Sequence, residues 1–111
     1  MPWYSYLLHA LSAGLLINSV PHLAMGLTGT PFQSPFATPS GIGESSPRVN
    51  VWWGWANLVG GAVLLAKYTP ADNLGWIIFA VTPLLLGTPM ATHFGKVRAR
   101  ARAQARTQAA E

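Results

Sequence analysis

Ser46-Pro47-Arg48-Val49-Asn50-Val51-Trp52-Trp53-Gly54-Trp55-Ala56-Asn57-Leu58-Val59-Gly60-Gly61-Ala62-Val63-Leu64-Leu65-Ala66-Lys67-Tyr68 is the segment from which the architecture of this chain can be worked out. Serine followed by proline starts a helix: the hydroxyl accepts an otherwise unpaired backbone N–H, and proline at the first helical position loses nothing by lacking one. From Pro47 to Lys67 the run is about 21 residues, roughly 31 Å at the helical rise, which matches a bilayer hydrocarbon core of about 30 Å. Asn50, Gly54, Asn57 and Gly61 recur at steps of four, three and four, so they share one face of that helix. In lipid no hydrophobic drive pushes helices together, and small residues that admit a neighbouring backbone, with amides that bond across the gap, take its place. This narrow polar face predicts a packed neighbour.

Composition agrees with a membrane setting. Half of the 111 residues are hydrophobic and only 9% are charged, against about 25% in an ordinary soluble domain. The length suits a single domain, 1–111. No acidic or basic residue precedes Glu44, and five of the seven basic residues, Lys96, Arg98, Arg100, Arg102 and Arg106, fall in the last stretch of chain. The net charge of +4 is therefore a property of the tail and speaks of the tail's partners. Without cysteine there is no disulfide, thiolate metal site or thiol nucleophile.

Upstream, residues 3–27 form an apolar run of about 25 residues, roughly 37 Å as helix, too long for a signal-peptide core and lacking a basic leader. It reads as a first span with Trp3, Tyr4 and Tyr6 as an aromatic anchor. Ser5, His9, Ser12 and Ser19 share one face, and Gly14, Asn18 and His22 mark the neighbouring one, so this side should meet other helices. Pro21 predicts a kink near Ile17, where Asn18 and Ser19 can satisfy freed groups. Residues 28–46 break all periodicity, with Pro31-Phe32 and Pro35-Phe36 as a repeat. The two rings suggest a loop folded back on the helix ends, and a solvated linker is the alternative.

Downstream, Thr69 to Asn73 is a short turn, which places the third span antiparallel beside the second, capped by Asp72 or Asn73. That span covers about 74–94 and contains Pro83 and Pro89, each preceded by a threonine able to bond back to the previous turn. Residues 95–111 are strong helix formers and read as a basic helical extension. The expected fold is an all-α integral membrane protein with three transmembrane helices and this tail. Positive residues favour the cytoplasm, so the C-terminus should lie inside and the N-terminus outside the cell membrane; Lys67, mildly at odds with this, can snorkel near Asp72. The tail's position after a span favours anionic lipid headgroups over nucleic acid.

Chemistry is sparse. There is no phosphate-binding glycine loop, paired carboxylate set or nucleophile elbow, so an enzyme is not expected. His9 lies about 20 Å from His22 along the first helix. His22 and His93 approach the same depth, where they can ligate haem b between helices, or join Glu44 in a proton or metal site. The plainer reading bonds His22 to Asn18 and His93 to a loop carbonyl. Trp52, Trp53 and Trp55 fit an interfacial belt, with a quinone, pigment or lipid pocket as the alternative. The first expectation is a non-enzymatic accessory or structural subunit that packs on itself or on a larger membrane complex. Gly14, Asn18, Asn50, Gly54, Asn57 and Gly61 would be its helix-packing residues. The second is a haem-, quinone- or lipid-binding protein using His22 and His93 with Trp52 and Trp53, and the third is an oligomeric small transporter, which the strong charge bias disfavours.

Overall fold

The computed structural model describes residues 2–111. Three helices, α1 (Tyr4–Leu27), α2 (Pro47–Lys67) and α3 (Asn73–Ala110), make up most of it, and each is long and apolar enough to cross a membrane. Between α1 and α2 the chain forms two short antiparallel strands, β1 (Phe32–Gln33) and β2 (Glu44–Ser45), with Phe32 opposite Ser45.

The helix starts follow from local chemistry. Ser46 is extended and its hydroxyl accepts from the Val49 amide at 3.2 Å, with Pro47 in the first turn. Asp72 caps α3 by accepting from the Gly75 amide at 2.8 Å. The prolines do not end their helices. Thr82 donates to the Ile78 carbonyl at 2.7 Å and Thr88 to the Leu84 carbonyl at 2.8 Å, and Ser19 does the same to Leu16 at 2.6 Å ahead of Pro21. Each bond goes to the carbonyl one residue before the one that proline leaves without its N–H partner, within the turn that proline loosens.

The helix order in space differs from the expected one. Both α2 and α3 pack on α1, and they scarcely touch each other, so the third helix does not lie beside the second as the short turn implied. The reason lies in the faces. The buried residues of α2 are Asn50, Gly54, Asn57 and Gly61, all on the side facing α1, and no second small or polar face is left for α3. α1 has polar and small residues on two adjoining faces, and it becomes the central helix.

The third span and the helical extension expected after it form one continuous helix. α3 runs unbroken for 38 residues, or about 57 Å, along a molecule whose longest extent is 62 Å. Gly95 sits inside it; a helical glycine costs about 1 kcal/mol relative to alanine, too little to break a run of alanine and arginine. One end of the bundle, the turn end, holds the start of α1 and residues 68–72. The other, the loop end, holds residues 28–46 and the base of the tail.

Candidate functional site

The seam between α1 and α2 is antiparallel and close. A Cβ on Gly61 would lie 2.8 Å from Leu16 Cγ, and one on Gly54 would lie 2.7 Å from Leu23 Cγ and 2.9 Å from the Leu23 amide nitrogen. Gly14 instead faces α3, where its Cβ would meet Leu86 at 3.1 Å. Polar bonds cross the same seam: Ser12 donates to the Gly61 carbonyl at 2.8 Å, Asn18 to Asn57 Oδ1 at 3.1 Å, and His22 Nδ1 meets Asn50 Oδ1 at 2.7 Å. Interhelical bonds of this kind contribute about 0.6 kcal/mol each in membranes, so close packing carries more of the seam than they do.

Asn50 also organises the loop. Its Nδ2 donates to the carbonyls of Phe32, Ser45 and Ser46, each at 3.1 Å. With the amide nitrogen so engaged, Oδ1 can only accept, and His22 must carry its proton on Nδ1. His22 is therefore paired with Asn50 and not with Asn18, which bonds Asn57. Phe32 is buried, its ring 4.8 Å from that of Phe94, and the Arg98 guanidinium lies over it at 5.3 Å. The loop is thus folded back on the helix ends. His93 Nε2 donates to the Gly41 carbonyl at 2.9 Å, and Gly41 adopts φ +73°, a conformation glycine reaches without strain.

Beneath this cap is a cavity of about 260 Å³ lined by Asn18, His22, Gln33, Ser34, Trp53 and His93 among others. Two buried polar atoms of residues that line it, Gln33 Oε1 and Trp53 Nε1, have no partner among the described residues. Trp53 also borders an open apolar groove of about 450 Å³ shared with Phe36, Val49 and Trp52. Trp52 itself is 78% exposed and points away from the bundle. Thus His22, His93 and Trp53 come together at one cavity, and Trp52 lies on the outer groove. Glu44 does not join the histidines: it borders a neighbouring cavity with Arg100 and Gln104, and no cluster of three metal-ligating side chains occurs among the described residues. Lys96, Arg100, Arg102 and Arg106 are exposed along α3, whereas Arg98 is half-buried against Phe32.

The turn end has its own polar cluster. Tyr6 donates to Asp72 Oδ2 at 2.5 Å, and the two hydrogen bonds from Tyr6 and from the Gly75 amide hold the Asp72 carboxyl below the usual carboxylate range. His9 is 1% exposed, edge-on to Tyr6, and neither ring nitrogen has a partner among the described residues. Its ring lies against Gly75, where a Cβ would come within 3.0 Å.

Sequence reasoning did not single out Gln33 or Ser34 at the loop end, and Gly41 read there only as loop flexibility ahead of the helix cap. The one available signal was Gln33, an amide between two Pro-Phe pairs. No protein-family model, curated protein or solved structure matches the chain.

Proposed function

We propose that this chain is a small non-enzymatic subunit of the inner membrane that packs against itself or a larger membrane complex. The observation behind the reading is the exposure of α3, in which only Gly75 and Val97 are buried, so that the longest apolar helix gives little of its surface to its own bundle. A row of helices centred on α1 leaves α2 and α3 free on their outer sides for lipid or for neighbouring subunits. By the charge bias the N-terminus lies outside and the tail inside, where Lys96, Arg98, Arg100, Arg102 and Arg106 meet anionic headgroups at about 1 kcal/mol per basic residue.

Native mass spectrometry from mild detergent tests the proposal. More than one copy per particle, or a stoichiometric membrane partner, is the expected result; a lone monomer under those conditions overturns it. A second reading, a ligand-binding membrane protein, draws support from the loop-end cavity, which His22, His93 and Trp53 line together. Haem b is the weaker occupant, because about 260 Å³ is below the roughly 300–1,000 Å³ usual for ligands much smaller than a porphyrin.

A further inference from the structure

We propose that the groove between α1 and α3 at the loop end holds one anionic phospholipid, with an acyl chain lying in the groove and the phosphate on the Arg98 guanidinium. The inference deepens the account of the tail given above and rests on the membrane placement in that reading; it does not rest on assembly with other subunits.

The groove has a volume of about 390 Å³ and is walled by Ala24 and Met25 of α1 and by Ala91, Phe94 and Gly95 of α3. Arg98 is the only charged residue that lines it. The wall residues on both helices keep exposed surface, so the groove is open to the surroundings of the bundle. On α3, Ala91, Phe94, Gly95 and Arg98 follow one another as i, i+3, i+4 and i+7 and so form a single stripe. Ala91 to Arg98 covers about 10 Å along the axis, an apolar stretch that ends at a cation. Gly95 widens this stretch, since a Cβ built on it meets nothing within 4 Å.

Charge decides the occupant. The Arg98 guanidinium lies over the Phe32 ring at 5.3 Å, a contact with the ring face that uses none of its N–H donors. No acid is placed to neutralise it. Asp72 is bonded to Tyr6 at the turn end, Glu44 borders the cavity beside Arg100, and Glu111 ends the chain about 20 Å farther along the helix. Arg102 continues the stripe one turn beyond Arg98 and is exposed. Two cations on one face beyond an apolar groove match a molecule with a negative head and a hydrocarbon chain. The planar N–H fork of arginine suits phosphate oxygens, and a net-negative lipid brings no ammonium group towards the pair. An apolar guest would leave both cations without a counter-charge, and a free phosphate would leave the apolar wall uncovered.

The experiment is native mass spectrometry of the purified full chain, released from mild detergent in about 0.15 M ammonium acetate so that distant charges are screened. The chain is titrated with dioleoylphosphatidylglycerol, dioleoylphosphatidylcholine, oleate or inorganic phosphate. One phosphatidylglycerol per chain is expected to bind saturably, with phosphatidylcholine about tenfold weaker. Arg98→Gln should weaken phosphatidylglycerol binding about tenfold. Gly95→Leu should remove the binding step by filling the groove, and should melt no lower than the parent without lipid, because the site is open and leucine is the better helix former. Arg48→Gln takes the same charge from an exposed position outside the groove and should leave binding within about twofold. Several results overturn the proposal: no saturable step, phosphate or oleate bound as tightly as phosphatidylglycerol, equal weakening in Arg98→Gln and Arg48→Gln, or a Gly95→Leu chain that still binds the lipid as the parent does. Copies per particle are read from the same spectra. A lone monomer that binds the lipid supports this site and fails the subunit reading, whereas an oligomer without the lipid step fails this site alone.

Discussion

His22 of α1 and Asn50 of α2 meet at 2.7 Å, and both side chains are closed to solvent, at 2% and 0% exposure. One amide thereby joins two helices to the loop. Its oxygen orients the imidazole, and its nitrogen holds three carbonyls of the loop and the first turn of α2. Removing it should release the cap and the cavity together.

Asn50→Leu keeps the volume and loses every one of these bonds, leaving His22 Nδ1 and the Phe32 carbonyl unpaired. A buried group so orphaned costs about 1–3 kcal/mol, so the variant should lose more than about 2 kcal/mol. Asn57→Leu, which removes an Asn18 contact outside the loop, should cost less. Thermal unfolding in detergent compares the two, and equal losses would show that the loop does not depend on Asn50.

The α1–α2 seam is expected to reject even a methyl group. At Gly54 a Cβ would press on Leu23 backbone as well as side chain, and at Gly61 on Leu16 and the Ser12 carbonyl. Overpacking of this type costs about 1–3 kcal/mol. Gly54→Ala and Gly61→Ala should therefore melt lower than the parent, while Val63→Leu, at a 58% exposed position, should stay within about 0.5 kcal/mol.

Acid should loosen the turn end. The hydrogen bonds from Tyr6 and Gly75 lower the carboxyl pKa of Asp72 in the folded protein relative to its ordinary value of 3.8. The unfolded chain then binds the proton more readily, so the stabilisation is complete above that ordinary value and is lost as pH falls through the folded one. Midpoints measured from neutral pH downward should drop more steeply for the parent than for Asp72→Asn. Parallel curves would remove Asp72 from the account.

Orientation is testable because the chain has no cysteine of its own. A single cysteine at Ala110 should resist an impermeant thiol reagent in intact cells, and one at Ala71 should react. Labelling at Ala110 would reverse the proposed topology.

Several features were legible in the residues alone, each for a local reason. Ser46-Pro47 and Asp72 mark helix starts because cap chemistry acts within a few residues, and three long apolar runs form helices because lipid leaves the backbone no other partner. The spacing of Asn50, Gly54, Asn57 and Gly61 puts them on one face by helix geometry. The residues did not reveal which helix that face would meet. Antiparallel packing of α3 on α2 looked simplest from the short turn, yet α1 takes the centre because it has two usable faces and α2 has one. The partner of His22 was likewise hidden, since spacing sets depth along a helix and leaves rotation about its axis to the neighbours. Gln33 and Gly41 became cavity residues only when Asn50 drew the loop across the helix ends, a contact between segments far apart in sequence that depends on the assembled bundle.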